Sequence, residues 1–136
     1  MALMNSLKIA ASGLRAQSGR MRVISENLAN ADSTAQAPGG DPYRRQMATF
    51  HSDFDRELNA KVVTVGRVKE DQSDFSIRYD PGHPAADGKG YVKKANVNSL
   101  VEIMDMRDAQ RSYEANLNIV KSARSMIQRT LDILRV

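Results

Sequence analysis

The chain has 136 residues, room for about one ordinary domain. It carries no cysteine, which excludes disulfides and thiolate metal sites, and with three Phe, four Tyr and no Trp it has few large groups from which to build a core. Its formal charge of +4 comes from 20 Lys and Arg set against 16 Asp and Glu that interleave along the chain, so no basic block points to nucleic acid, and no apolar run approaches the ~20 residues of a membrane span.

Residues 1–34 form the first region. Leu3, Leu7, Ala10, Leu14, Gln17, Met21, Ile24, Leu28 and Ala31 alternate three- and four-residue steps, the spacing that keeps one helical seam facing a partner. Lys8, Arg15, Arg20 and Arg22 fall on the outer faces of that helix, where cations are solvated. Asn5 and Lys8 interrupt what would have to be the apolar core of a secretory signal, so no cleavable signal is expected. Gly13 and Gly19 each cost the helix about 1 kcal/mol relative to alanine. They read either as tolerated surface positions or, with Ala10, Ala11 and Ala16, as a small-residue face where another backbone comes close. The helix should end near Asn30, before Ala31-Asp32-Ser33-Thr34, whose side chains compete for backbone hydrogen bonds.

Residues 35–95 are the middle region. Ala35 to Asp41 reads as a flexible linker closed by Pro42. Met47, Phe50, Phe54 and Leu58 follow at near-helical steps, whereas Val62, Val63, Val65 and Val68 are β-branched and read as strand. After a turn around Gln72 to Asp74, the alternation of Phe75, Ile77 and Tyr79 predicts a second, half-buried strand. Asp80-Pro81-Gly82-His83-Pro84 and Asp87-Gly88-Lys89-Gly90 are successive turns, after which Tyr91 and Val92 resume a short strand.

Residues 96–136 form the last region and hold the longest periodic run. Ser99 and Glu102 have the spacing of a capping box, in which serine oxygen and glutamate carboxylate each satisfy a free backbone N–H. Ile103, Met106, Gln110, Tyr113, Leu117, Val120, Arg124, Ile127, Leu131 and Leu134 then repeat the three-and-four alternation, broken only by Gln110 and Arg124. Without Gly or Pro the run makes a rod of roughly 50 Å. The fold class expected is α+β: long N- and C-terminal helices paired as an antiparallel coiled coil or bundle, with a small β-rich middle segment.

For chemistry, the one constellation to weigh is Asp80, His83 and Asp87, an imidazole and two carboxylates in one loop. A closed metal site lacks its fourth ligand there, the other histidine is remote at His51, and Asp before Pro-Gly serves to nucleate a turn. No phosphate loop and no nucleophile motif accompanies it. No catalytic, cofactor or metal residue is assigned, and no enzymatic activity is expected.

Ser12-Gly13-Leu14, Asn27-Leu28-Ala29-Asn30-Ala31, Asn96-Val97-Asn98 and Tyr113-Glu114-Ala115-Asn116 resemble the terminal signatures of bacterial flagellar rod and hook axial proteins. Asp41-Pro42-Tyr43-Arg44-Arg45, Tyr79-Asp80-Pro81-Gly82-His83-Pro84 and Gly90-Tyr91-Val92 are similar to the motif loops of the proximal-rod members of that family. The approach Gln72 to Arg78 and the stretch Ala85 to Gly90 depart from the usual pattern, which touches only the outer contacts of the middle region. The resemblance implies a structural subunit of the basal-body rod in the periplasm, delivered by the flagellar type III export apparatus without a cleaved signal. It implies as partners copies of itself, other rod subunits and surrounding ring components, with neither nucleic acid nor membrane insertion. It also implies that the terminal helices form the inner tube; the assembly seams expected there from the periodicity are Leu3, Leu7, Leu14, Met21, Ile24 and Leu28 and Ile103, Met106, Tyr113, Leu117, Val120, Ile127, Leu131 and Leu134. From the pattern alone, a soluble helical module that binds a partner without polymerising is the alternative, and a small basic nucleic-acid binder stands behind it.

Overall fold

The computed structural model describes residues 2–135. Helix α1 runs Ala2–Ala29, six strands follow (β1 Gln46–Met47, β2 Phe50–Asp55, β3 Ala60–Val65, β4 Lys69–Glu70, β5 Ser76–Tyr79, β6 Tyr91–Lys94), and helix α2 runs Ser99–Leu134. The strands form three antiparallel two-stranded ladders, β1 with β4, β2 with β3 and β5 with β6. The architecture is α+β, long terminal helices around a small β-rich middle. The chain divides into two compact units that both helices traverse: the described parts of Met1–Met21, Ala48–Arg67 and Arg107–Val136 make the first, Arg22–Met47 and Val68–Met106 the second.

In the first unit the two helix segments run antiparallel and meet through small groups. A methyl group at Gly13 would stand 2.9 Å from Asn116 Nδ2, so this glycine permits close approach. Gly19 is different, because a methyl there meets Val65 at 3.7 Å, an ordinary contact. The residues buried here are Ala10, Ser12, Ala16, Leu58, Ala109 and Ala123. On α2 the buried positions Glu102, Ala109 and Ala123, with Asn116 against Gly13, recur every seven residues. That line runs one residue before the expected Ile103, Gln110, Leu117 and Arg124, which explains why two members of the expected line are polar: Gln110 and Arg124 are exposed.

The near-helical spacing from Met47 to Leu58 does not give a helix. Phe50–Asp55 is strand β2, closed onto β3 in the register Phe50 with Val65 and Asp55 with Ala60. The turn between them is built by Asp55 Oδ1, which accepts the N–H groups of Glu57 at 2.9 Å and Leu58 at 3.2 Å, and by Asn59, which holds φ at 48°. Asn5 Nδ2 then fastens the turn to α1 by donating to the Leu58 carbonyl at 3.1 Å.

In the second unit the first residue of the expected linker is packed, while residues 36–39 are exposed. Ala35 joins Ala85 and Val92 in a buried cluster, and its N–H donates to the Lys93 carbonyl at 3.3 Å while the Ala95 N–H donates to Ser33 O at 3.1 Å. Small side chains let this segment lie flat along β6. Strand β5 is the converse, predicted half-buried and found exposed along its whole length, with Ile77 and Tyr79 facing solvent. Its inner neighbour β6 supplies the buried residue, Val92, so alternation along β5 carried no information about which strand of the pair met the core.

Candidate functional site

The start of α2 is capped by Asn98, whose Oδ1 accepts the N–H of Leu100 at 3.0 Å and of Val101 at 3.4 Å. This replaces the expected capping box, because Glu102 is turned inward with 0% exposure. A buried carboxylate has to be matched by a cation and hydrogen bonds. Here Arg45 Nε donates to Glu102 Oε1, and Asn27 Nδ2 donates to Glu102 Oε2 at 3.0 Å. Arg45 also faces Asp71 and Asp105, each at 3.5 Å, and its own N–H donates to Asn96 Oδ1 at 2.7 Å.

Asn27, 1% exposed, saturates the other side of the cluster. Its Oδ1 accepts Tyr43 OH and the Gln46 N–H, both at 2.9 Å, and its Nδ2 also donates to the Gln46 carbonyl at 2.8 Å. Asn96 Nδ2 bonds the carbonyls of Asp71 at 3.0 Å and Ser73 at 3.1 Å, and Arg44 lies over the Phe75 ring at 4.3 Å from its centre. Burial works against the charge on Arg45, but Glu102 and then Asp71 outweigh it and hold the guanidinium above its ordinary pKa. The N–H and hydroxyl of Ser73, then Arg45, hold Asp71 below the usual carboxylate value. Burial raises Tyr43, with Glu26 and Glu102 adding to it.

Three separated motifs and Glu102 are thus one network: Asn27 from the Asn27–Ala31 motif, Tyr43, Arg44 and Arg45 from the Asp41–Arg45 motif, and Asn96 and Asn98 from the third. Asp41 and Pro42 sit at its edge, Asp41 facing Lys93 at 3.4 Å and Pro42 buried. Asn27, Asp71, Asn96 and Glu102 were not singled out from the sequence as a site. The available signal was a polar Asn27 set between Ile24 and Leu28 on the apolar side of α1.

The loop from Asp80 to Pro84 is organised by its own side chains. The Ala85 N–H donates to His83 Nδ1 at 3.0 Å, so the ring proton sits on Nε2, within 3.2 Å of Thr34 Oγ1. Asp80 pairs with Arg78 at 2.8 Å, which first among its neighbours lowers its pKa. Asp87 is lowered by the N–H groups of Tyr91 and Lys89, each bonded to Oδ1 at 2.9 Å. Gly82 and Pro84 are exposed, while Pro81 lies under Gly90, whose φ is 83°. The three acid and imidazole groups weighed as a metal site are therefore each committed to the loop, and among the described residues no three such groups are placed to share a metal ion.

Along the seams, Leu3, Leu7, Leu14, Met21 and Leu28 are half-buried and Ile24 is buried. Met106, Tyr113, Leu117, Val120 and Ile127 are half-buried, whereas Ile103, Leu131 and Leu134 are exposed, Leu134 at 76%. Leu3 and Ser6 with Ile119, Ala123 and Met126 enclose an open apolar groove of about 360 Å³.

Comparison with known proteins gives this arrangement a context. Residues 7–36 match the family described as Flagella basal body rod protein, and residues 89–133 match Flagellar basal body rod FlgEFG protein C-terminal. The chain is 50% identical to the flagellar basal-body rod protein FlgC of Agrobacterium fabrum, over 94% of this chain and 92% of that one. It is 40% identical to FlgC of Bacillus subtilis, over 98% and 99% of the two chains, and 41% identical to FlgC of Salmonella typhimurium, over 98% of each.

Proposed function

The chain belongs to the FlgC family of flagellar basal-body rod proteins and is a structural subunit of that rod, and from this premise we propose that it polymerises through its terminal helices, with copies of itself and other rod subunits, into a helical tubular drive shaft for motility. The observation that carries the reading is the match over almost the whole of both chains. In this reading residues 1–34 and 96–136 form the inner helical core and 35–95 lies further out. The half-buried and exposed seam residues support the mechanism, since in one chain they keep apolar surface that a neighbour would cover. Unequal patches repeated head to tail with a rotation that does not close give an open helix in place of a ring.

The motif network around Arg45 and Glu102 holds the ends of the two helices and the Asp41 to Arg45 segment in one geometry, and the Asp80 to Pro84 loop is a preformed outer contact for a rod or ring neighbour. The subunit passes through the flagellar type III export apparatus without a cleaved signal and works in the periplasmic part of the basal body. It is a structural part with no reaction of its own.

Leu14→Asp and Leu117→Asp test the seams. Each variant is expected to be lost from purified basal bodies, while the β-strand signals of the isolated protein stay unchanged. Normal incorporation of both variants would overturn the seam mechanism.

A further inference from the structure

The two longer ladders, β2 with β3 and β5 with β6, each leave one strand edge bare. In the first, α1 lies along the outer edge of β3, where the Val63 N–H donates to Ser12 Oγ at 3.3 Å, and β2 pairs with β3 alone. In the second, residues 33–35 lie along the outer edge of β6, and β5 pairs with β6 alone. Every residue of β5 is exposed, as is every residue of β2 except Asp55. An uncovered edge is a row of N–H and C=O groups that serves as a template for a further strand.

The two edges match each other. The Gly66 N–H bonds Thr49 O and the Asp80 N–H bonds Gly90 O, both at 2.8 Å. The alternation of an antiparallel ladder then turns the backbone groups of Phe50, Ser52 and Phe54 outward on β2, and those of Ile77 and Tyr79 outward on β5. We propose that β2 of one copy adds antiparallel to β5 of the next copy, with Phe54 opposite Ile77, Ser52 opposite Tyr79 and Asp53 opposite Arg78. In that register the outward residues exchange both of their hydrogen bonds. Asp53 and Arg78 become a non-hydrogen-bonded pair, the kind whose side chains stand closest.

Charge selects this pairing over its rivals. Strand β2 carries Asp53 and Asp55 while β5 carries Arg78, so β2 against β2 sets carboxylates together and β5 against β5 sets guanidinium groups together. Asp53 holds Thr64 through Oδ2 at 2.6 Å, and Arg78 holds Asp80 through Nη2 at 2.8 Å. Both residues are exposed, so a partner strand can reach them. Phe54 and Ile77, 57% and 68% exposed, cover one another. Two different edges joined in this way make a head-to-tail contact, which in an open helical rod adds an outer contact to the helical seams.

The proposal rests on the rod reading and is tested within it. Cells producing a Phe54→Cys copy together with an Ile77→Cys copy yield basal bodies in which only engineered thiols are present in this chain. Opposed residues of such a pair have Cα atoms about 5.5 Å apart, within disulfide reach. Mild oxidation is expected to give a dimer containing one copy of each variant. Asp53→Arg in the Phe54→Cys copy should lower its yield roughly 5-fold, and Arg78→Asp in the Ile77→Cys copy should restore it. Both variants incorporated with no mixed dimer, or no rescue by the exchanged charges, overturns the strand contact and leaves the rod reading standing. Absence of the unsubstituted chain from the basal bodies overturns the rod reading itself.

Discussion

Arg45 decides whether the second unit can keep a carboxylate inside it. Glu102 has no access to solvent, and among the described residues the guanidinium is its one cation. Removing one partner of a buried ion pair leaves the other charge unmatched and costs about 3–5 kcal/mol. Arg45→Ala is therefore expected to lower unfolding free energy by about that much in chemical denaturation, and Arg45→Met combined with Glu102→Leu should regain most of it. If Arg45→Ala cost under about 1 kcal/mol, the network would be a surface feature. At this scale the sequence was legible in part. The motif residues Asn27, Arg45 and Asn96 stand out, but nothing local to Glu102 tells a helix-capping carboxylate from one committed to a residue 57 positions away. That choice belongs to tertiary structure.

Among the elements, both helices and the strands β3, β5 and β6 lie where periodicity places them, because long apolar repeats and β-branched or alternating runs carry their own signal. Strand β2 was misread since Phe50, Phe54 and Leu58 share a spacing with a helix, and only the Asp55 and Asn59 turn chemistry breaks it. The start of α2 offers a direct check. Asn98→Ala is expected to cost about 1 kcal/mol and to fray the first turn, while Ser99→Ala leaves it intact, as read by amide exchange of Leu100 and Val101. The reverse order would restore the capping box.

The second unit also has an acid limit. Asp71, Asp80 and Asp87 are each held below the ordinary value of 3.8, so the folded chain binds fewer protons than the unfolded one. Stability from these groups is complete above about 3.8 and is lost as pH falls through their lowered folded values. Thermal unfolding should be flat from pH 7 to about 5 and drop at lower pH, and Asp71→Asn should reduce the slope. A stability that rose on acidification would contradict the assigned partners.

For the whole molecule, the largest fully buried side chains are Glu102, Val92 and Asn27, two of them polar. The rest of the buried apolar set is mostly alanine, each methyl contributing about 0.8 kcal/mol. Such a chain gains little by folding alone, while ordering each residue costs about 1–2 kcal/mol of backbone entropy. Association was expected from composition for the same reason, few large groups, whereas the buried line on α2 was displaced by one residue because its positions are held by Ala and Asn in place of Leu or Ile.

Ordering of the terminal helices is expected to be coupled to assembly, and amide hydrogen exchange of dilute monomer against assembled rod measures that coupling. The expected result is fast exchange over 2–21 and 107–134 in the monomer and strong protection of the same residues in the rod, with the Asn27, Arg45 and Glu102 region protected in both. Equal, strong protection of both helices in the monomer would mean that the seams are satisfied within one chain, and would contradict assembly through them.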